Sequence, residues 1–367
     1  MRKEPIRILY LNGGTMDLGG ISSYMMNYYR FFDRSELQID FAVHGKDGIR
    51  DEEIKQLGGR VYHLPTKRED YFGNIRGMKQ LFSSGEYQIV HSHMDSMNGL
   101  TLKLAQQCGV PIRISHSHNT DFLTKNRVKI ALHRHTMRQI PRYATHLWAC
   151  SRAAGEWLYG PSREFTVIPN AVQTERFRFN PEKREALRRE MGLGGKTVIG
   201  HVGRFDYQKN QEFLLDVFAQ AAKQNDSLRL VLVGDGANRP QIEAQIAKLE
   251  LGNRVLLLGQ RTDVPELVNL FDVQVLPSRF EGLPVTMVEA QANGLTCLCS
   301  DCVTREVDVT GNVRFLSLED RDGWIRALQA EYSRDPSAYA AVCDAGYDIQ
   351  TAARELQQTY LHFASQV

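Results

Sequence analysis

Two acidic residues, Glu281 and Glu289, lie eight positions apart on either side of a Gly-Leu-Pro turn. The turn follows an apolar run at residues 273–276, so the pattern predicts a strand, a turn and a helix with Pro284 at its first position. The start of such a helix offers backbone N–H groups and a positive dipole end to an anion such as a diphosphate. Glu281 can accept hydrogen bonds from sugar hydroxyls, and Glu289 from a diol such as a ribose. The segment could therefore hold all three parts of a nucleotide sugar, although an ordinary turn with two solvated acids fits these residues as well.

A pair of cations occupies the matching place after another predicted strand. Gly203, Arg204 and Lys209 follow the apolar run at residues 197–202 and precede a predicted helix. The Arg204 guanidinium can fork onto phosphate oxygens, and the Lys209 ammonium can add a second positive charge to the same diphosphate. Together they would neutralise the charge that develops on a departing nucleoside diphosphate, as a metal ion does elsewhere. A solvated surface pair is the alternative for these two side chains taken alone.

Glycine-containing turns end several other predicted strands. The first strand is followed by the doublets Gly13-Gly14 and Gly19-Gly20, of which the second opens a predicted helix. Glycines there let the backbone approach a ligand closely, but the spacing is not G-x-G-x-x-G, so a nicotinamide dinucleotide site is poorly supported. The backbone at Gly234 and Arg261, after two later strands, could line a pocket for a base. Each of these segments taken alone also fits a purely structural turn.

Histidines cluster at two predicted strand ends in the first half of the chain, in His91-Ser92-His93 and in His116-Ser117-His118-Asn119. Imidazoles at such positions can bind sugar hydroxyls, contact a phosphate or transfer a proton. We expect His91 and His116 to point into the sheet packing, and His93 and His118 to face a ligand. A structural role remains open for each single histidine.

Metal-binding patterns are weak in this chain. Cys297, Cys299 and Cys302 fall in a predicted buried strand and its exit, without the paired spacing of a structural zinc site. The Asp-x-Asp pattern at Asp320 and Asp322 lies in a polar loop, away from any predicted strand end. We therefore expect no bound metal and no cofactor besides a nucleotide-sugar substrate. The six cysteines do not resemble a secreted disulfide framework in a chain of 367 residues, which favours a reduced, cytoplasmic compartment.

A basic stretch without acidic residues runs from residue 122 to residue 155. It could hold an anionic acceptor or rest on an acidic membrane surface, and a plain solvated helix face is the alternative. Because no apolar run approaches the roughly 18 residues that span a bilayer, we expect any membrane contact to be peripheral, on the inner face of the membrane. The net charge of +2 gives no argument for nucleic acid. The cations are Lys125, Arg127, Lys129, Arg134, Arg138, Arg142 and Arg152.

Short apolar runs alternate with longer helical patterns along the whole chain, which predicts parallel sheets made of βαβ units. The alternation restarts near Val198, so we expect two doubly wound, Rossmann-like α/β domains at residues 1–170 and 171–345. A C-terminal helix at 346–367 could cross back to the first domain. Ligands bind beyond the carboxyl ends of parallel strands, so two such domains facing each other predict a cleft. The predicted strands are 6–11, 39–43, 89–91, 112–115, 146–150, 165–168, 197–202, 228–233, 254–258, 273–276 and 295–300.

The chain as a whole resembles GT-B glycosyltransferases of the family 4 type, most closely the EpsF-like enzymes of bacterial exopolysaccharide synthesis. The resemblance runs from Ile6 to about Trp324 and includes seven motifs in the right order. They are His116-Ser117-His118-Asn119-Thr120, Ala149-Cys150-Ser151, Ile168-Pro169-Asn170-Ala171, Gly200-His201-Val202-Gly203-Arg204, Gln208-Lys209-Asn210, Leu232-Val233-Gly234-Asp235-Gly236 and the segment from Arg279 to Ala290.

The resemblance implies retaining, metal-independent transfer from a nucleotide diphosphate sugar, with UDP as the preferred nucleotide, to a saccharide or a lipid-linked saccharide. It implies front-face displacement, in which the leaving diphosphate helps to deprotonate the incoming hydroxyl. By this resemblance, Arg204 and Lys209 correspond to the diphosphate cations and Glu289 to the ribose ligand. Glu281, with Gly282 and Leu283, resembles the contacts to the donor sugar. Gly20 resembles the first-domain glycine that faces the phosphates, and His93 resembles the histidine beside the reacting carbon. Gly203, Gly234 and Arg261 complete the expected donor site, and His118 and Asn119 are expected acceptor-binding residues.

Three other functions stay open on the sequence. A nucleotide-sugar 2-epimerase or hydrolase would use a similar two-domain scaffold. A non-catalytic partner subunit would keep the nucleotide site without turnover, although the intact cations and acids argue against it. An oxidoreductase is weaker still, because the dinucleotide spacing is missing.

Overall fold

The computed structural model describes residues 4–122, 124 and 126–367, so Lys125 of the basic stretch lies outside the described residues. The chain divides into two compact units. The first ends at Ala171 and also includes Ile349–Val367, whereas the second is Val172–Asp348. Each unit is built on its own parallel sheet.

The first unit contains a seven-stranded sheet in the order β3-β2-β1-β4-β5-β6-β7, in which neighbouring strands run parallel. Every residue of β2 and β4 is buried, as expected for strands of a parallel sheet that is covered on both faces. The strands are β1 (Ile6–Asn12), β2 (Leu37–His44), β3 (Val61–Leu64), β4 (Ile89–His93), β5 (Ile112–Ser117), β6 (His146–Ala149) and β7 (Thr166–Val167).

Six helices follow these strands along the chain, and side-chain caps explain where several of them begin. Asp70 accepts from the Gly73 N–H, Asn126 from the Val128 and Lys129 N–H groups, and Ser151 from the Ala154 N–H. The helices are α1 (Gly20–Phe31), α2 (Asp51–Gln56), α3 (Tyr71–Phe82), α4 (Asn98–Gln107), α5 (Arg127–Tyr143) and α6 (Arg152–Tyr159).

The second unit contains a six-stranded parallel sheet in the order β10-β9-β8-β11-β12-β13. Phe205, Phe218 and Trp324 are fully buried in its core. Its strands are β8 (Thr197–Val202), β9 (Leu228–Val233), β10 (Val255–Gly259), β11 (Val273–Leu276), β12 (Thr296–Ser300) and β13 (Val313–Leu316). Its helices are α7 (Thr174–Phe177), α8 (Pro181–Glu190), α9 (Gln211–Gln224), α10 (Arg239–Lys248), α11 (Val264–Leu267), α12 (Val285–Ala292), α13 (Arg321–Leu328) and α14 (Ala338–Val342).

The last helix, α15 (Ile349–Ala364), belongs to the first unit. Its apolar face, including Leu356 and Tyr360, is buried in the core of that unit. Gln357 accepts from the Asp33 N–H at 2.7 Å and donates to Glu36 at 2.8 Å, which ties the helix to the loop before β2.

The predicted fold class, two doubly wound parallel α/β domains, is confirmed. The strands β3 and β13 were not predicted. Both are four-residue strands at the edge of a sheet, too short to show a clear strand pattern in the sequence. In each sheet the strand order reverses at one place, between β1 and β4 in the first unit and between β8 and β11 in the second. Ligands of open parallel sheets bind at this switch point. Within the described residues, no helix combines the length and the apolarity that crossing a membrane requires.

Candidate active site

The loops after β8 and β11 lie side by side at the switch point of the second unit. The Arg279 N–H donates to the Gln208 carbonyl at 2.8 Å, and the Asn210 side chain donates to the Pro277 carbonyl at 3.1 Å. Asn210 has φ +58, in the left-handed region, directly before α9 begins. These contacts fix the two loops to each other, so their side chains converge.

Lys209 and Glu281 form an ion pair where these loops meet. Lys209 Nζ lies 2.7 Å from Glu281 Oε1, and the Gln208 amide donates to Glu281 Oε2 at 3.2 Å. Gln208 also donates to the Phe280 carbonyl at 3.0 Å. Glu281 is only 6% exposed, so the carboxylate is oriented by a cation and an amide in a mostly buried place. The sequence did not point to Gln208 as a partner of Glu281, although it precedes Lys209 in the chain.

Two glycines follow the strands β8 and β9. A Cβ at Gly203 would lie 3.4 Å from Lys209 Cδ, in van der Waals contact with the lysine stem. Gly234 has φ +142, and a Cβ there would collide with the Gly203 carbonyl. Arg204 follows Gly203 and is exposed, and its carbonyl accepts from the Gln211 side chain at 2.8 Å. The chain therefore places the Lys209 and Arg204 cations at the same strand end.

Glu289 lies on α12, in the helix that follows Glu281. It is half-buried, and burial raises the pKa of its carboxyl group to about 7, against the opposing effect of the Arg176 charge. The helix begins at Val285, so the expectation that Pro284 is its first residue is wrong: Pro284 has ψ 110 and stands just before the helix. No side chain caps the start of α12. The backbone of Gly282 and Leu283 leads into this helix start.

Arg261 follows β10, and its guanidinium is held by a neighbouring acid. Its Nε and Nη2 lie 2.8 and 2.6 Å from the two carboxylate oxygens of Asp263. The Gly234 N–H donates to the Gly259 carbonyl at 2.8 Å, which links the ends of β9 and β10. Among the described residues, the Arg261 side chain contacts Asp263 and not the Lys209–Glu281 pair.

His91, His93, His116 and His118 form one buried stack in the first unit. Ring centroids are 4.0 Å apart for His91 and His93, and 4.3 Å apart for His116 and His118. His93 Nδ1 lies 2.8 Å from His118 Nε2, and His91 Nε2 lies 3.1 Å from His116 Nδ1. Burial lowers the pKa of all four, that of His118 to about 3, so the imidazoles are neutral at pH 7.

The division of these histidines into packing and ligand-facing pairs stays a prediction, although all four side chains are buried. Residues two apart in a strand point to the same face, so His93 shares the environment of His91 and is 1% exposed. His118 is slightly more open, at 9%. The sequence also missed Tyr360 on α15, whose hydroxyl lies 2.7 Å from His91 Nδ1.

Asp95 organises the end of β5 and was missed at the sequence level. Its carboxylate accepts from the His118 N–H at 2.7 Å and from the Asn119 side chain at 2.6 Å. Burial raises the pKa of Asp95 to about 6.

On the other side of the switch point, α1 begins at Gly20, and the preceding Gly19 N–H donates to Asp17 at 2.7 Å. The second glycine doublet is therefore the one that opens a helix.

Two groups among the described residues could hold a metal ion. The buried ring nitrogens of His91, His93 and His116 lie within 4.8 Å of one another. The second group is Asp47, Asp51 and His63. Neither group includes the Lys209–Glu281 pair.

Comparisons with known proteins agree with this architecture. The family model "Glycosyl transferase 4-like domain" matches residues 19–171, and "Glycosyl transferases group 1" matches residues 183–314. The chain is 35% identical over 380 residues to the putative glycosyltransferase EpsF of Bacillus subtilis (strain 168), covering 98% of this chain and 97% of that protein.

A second curated relative and a solved structure extend the comparison. The chain is 30% identical over 332 residues to the UDP-Gal:alpha-D-GlcNAc-diphosphoundecaprenol alpha-1,3-galactosyltransferase of Escherichia coli, covering 85% of this chain and 84% of that protein. The structure of Anabaena Alr3699/HepE in complex with UDP and glucose matches with a TM-score of 0.79 at 18% identity, covering 97% of this chain and 100% of that chain. The structural match supports the shared fold.

Proposed function

Because the chain belongs to the GT-B glycosyltransferases of the family 4 type, we propose that it transfers a sugar from a UDP-sugar to a saccharide or a lipid-linked saccharide with retention of configuration. The glycosyltransferase class is that of exopolysaccharide and cell-surface glycan synthesis. UDP as the nucleotide is supported by the name of the Escherichia coli relative and by the UDP in the HepE structure.

The contact between Lys209 and Glu281 carries this proposal. Lys209 and Arg204 would bind the diphosphate and neutralise the negative charge that grows on it as the bond to the sugar breaks. Glu281, held by Lys209 and Gln208, would accept hydrogen bonds from the sugar hydroxyls. The backbone of Gly282 and Leu283 and the start of α12 would complete the anion site.

The reaction needs no covalent intermediate on the protein. The bond between the anomeric carbon and the diphosphate oxygen breaks, and the acceptor oxygen forms a bond on the same face. The acceptor proton passes to the leaving diphosphate. Because two cations supply the charge neutralisation, we propose that turnover is independent of a metal ion and of any other cofactor.

The remaining donor contacts fall at neighbouring strand ends. Glu289 would accept from the ribose hydroxyls, for which its carboxyl must be ionised. Gly203 and Gly234 would let the nucleotide approach the backbone. At Arg261 the guanidinium is bound by Asp263, so we propose that the backbone, and not the side chain, faces the base.

Roles are also proposed for residues of the first unit. Gly20, at the start of α1, would contact the phosphates, and His93 the sugar beside its reacting carbon. Asp95 holds the Asn119 side chain and the His118 backbone in place, and we assign His118 and Asn119 to acceptor binding.

We also propose a cytoplasmic location, with residues 122–155 resting on the acidic inner face of the membrane.

Loss of Lys209 tests the proposal. Lys209→Ala should lower kcat for the cognate UDP-sugar by about 10²–10³-fold, the usual cost of removing one preorganised charge-stabilising group. Lys223→Ala removes an exposed lysine from α9 of the same unit and should leave kcat unchanged. The assay would follow UDP release and product formation with EDTA present. Full activity of Lys209→Ala would contradict the proposed role, and free or epimerised sugar as the main product would indicate a hydrolase or an epimerase.

A further inference from the structure

A groove lined by arginines lies in the first unit, apart from the donor-binding and acceptor-binding residues assigned above. It has a volume of about 360 Å³ and runs between α5 and the end of α6. Arg134, Arg138 and Arg163 supply its charge, whereas Met137, Pro141 and Leu158 supply apolar surface. Two of its arginines, Arg134 and Arg138, belong to the basic stretch at residues 122–155.

The local structure explains why three arginines meet here. Arg134 and Arg138 are four residues apart on α5, so they share one face of the helix. α6 ends at Tyr159, and the next residue, Gly160, has a φ of +94 that favours glycine. The Gly160 N–H donates to the Glu156 carbonyl at 2.9 Å. The Arg163 N–H donates to the Gly160 carbonyl at 3.3 Å, so the turn brings Arg163 back beside the helix end.

The positive charge of the groove is not balanced by the protein. No acidic residue lines it, and within the described part of the chain none of the three arginines forms an ion pair. By contrast, Arg152 on α6 lies 2.9 Å from Glu156. Arg134 is steadied by the Phe122 ring, 5.9 Å from its guanidinium. An uncompensated cluster of guanidiniums next to apolar surface fits an anion that carries an apolar group.

We propose that this groove binds the diphosphate of a diphosphate-linked amphiphile. The proposal rests on the proposed function, because that amphiphile would be the carrier of a lipid-linked acceptor. A diphosphate diester carries two negative charges and presents oxygens to several guanidinium forks, whereas the phosphate diester of a common phospholipid carries one. Met137, Pro141 and Leu158 offer a surface to the first carbons of the attached chain.

Binding of farnesyl diphosphate to the full-length protein tests the site without turnover. UDP is kept saturating, so that the donor site cannot bind the probe, and affinity is measured by calorimetry. Arg138→Ala and Arg163→Ala should each weaken binding roughly tenfold, since each removes a charge-assisted contact. Lys129→Ala removes an exposed cation from the same helix outside the groove and should leave the affinity unchanged. Farnesol should not bind.

Three results would overturn the proposal. The first is no binding of farnesyl diphosphate to the wild type, and the second is equal affinity in the Arg138→Ala/Arg163→Ala double variant. The third is binding only to phosphatidylglycerol vesicles, which would leave the arginines to the membrane contact proposed for residues 122–155 and would remove the diphosphate site. Melting temperatures of the variants would show that they fold. Affinity for UDP and transfer to a soluble acceptor report on the proposed function separately, because the groove variants should leave both unchanged.

Discussion

The ion pair between Lys209 and Glu281 joins two side chains that are 72 positions apart in the sequence. Both are mostly buried, with side-chain exposures of 16% and 7%. A buried charge is costly unless it is paired, so each side chain depends on the other for its place in the fold. In the proposed reaction the same pair would set the position of the donor sugar relative to the diphosphate.

Because each charge needs the other, removing one of the two side chains should cost more stability than removing both. Glu281→Leu should lower the free energy of unfolding by about 3–5 kcal/mol, because it leaves the Lys209 ammonium without its partner. The double variant Lys209→Met/Glu281→Leu should recover most of that loss, since no charge remains buried. Urea unfolding of the wild type, Lys209→Met, Glu281→Leu and the double variant would measure the coupling. Additive effects of the two single changes would show that the pair does not couple.

Glu289 predicts a pH dependence of nucleotide binding. Its pKa is raised to about 7, and only the ionised carboxylate can accept from both ribose hydroxyls. The affinity for UDP should therefore rise between pH 6 and pH 8 more steeply in the wild type than in Glu289→Gln, and this comparison cancels titration of UDP itself. The stability of the fold should change with pH in the opposite direction. Because the pKa of Glu289 is higher in the folded protein, its contribution to stability is lost as the pH rises from about 4.5 through 7. Parallel affinity profiles in the two proteins would refute the role of Glu289.

At the scale of elements, the turn after β9 should be sensitive to any side chain. Gly234→Ala places a Cβ against the Gly203 carbonyl at a φ that alanine rarely adopts, and it should shift the loop that carries Arg204 and Lys209. We expect a lower melting temperature and weaker UDP binding. Gly252→Ala is the matched control, because its Cβ would meet open space. Equal UDP affinity in both variants would show that the Gly234 turn does not support the site.

The strand ends that carry the candidate donor residues were predictable, because βα turns follow each apolar run and parallel sheets bind ligands at their carboxyl edge. The contact of Lys209 with Glu281 was not, because it depends on β8 lying next to β11, and nothing local in the sequence states the strand order. The shared face of His91 and His93 was also predictable, because side chains two apart in a strand point to the same face of the sheet. Tyr360 reaches His91 from 269 positions away, and no local pattern could reveal this contact.

At the scale of the whole molecule, the chain forms one α/β unit, then the other, and returns to the first through α15. The first unit is therefore completed only by the last residues of the chain. The fold class could be predicted from the alternation of strands and helices. The packing of α15 could not, because an amphipathic helix does not reveal which apolar surface covers it.

The return of α15 predicts that a C-terminal change destabilises the first unit. Leu356→Ala should lower the free energy of unfolding by about 2–5 kcal/mol, since Leu356 is 3% exposed in the core. Glu355→Ala, at the adjacent exposed position, should change it by less than about 0.5 kcal/mol. Chemical denaturation would measure both, and a silent Leu356→Ala would contradict the packing described above.

The configuration of the product tests the central claim most directly. The purified protein would be incubated with an α-linked UDP-sugar and a saccharide or lipid-linked saccharide acceptor in the presence of EDTA, and the new linkage would be read from the anomeric proton signal by NMR. We predict an α-linked product from the wild type and essentially none from Lys209→Ala. A β-linked product, or transfer that requires an added metal ion, would contradict retaining, metal-independent transfer by these residues.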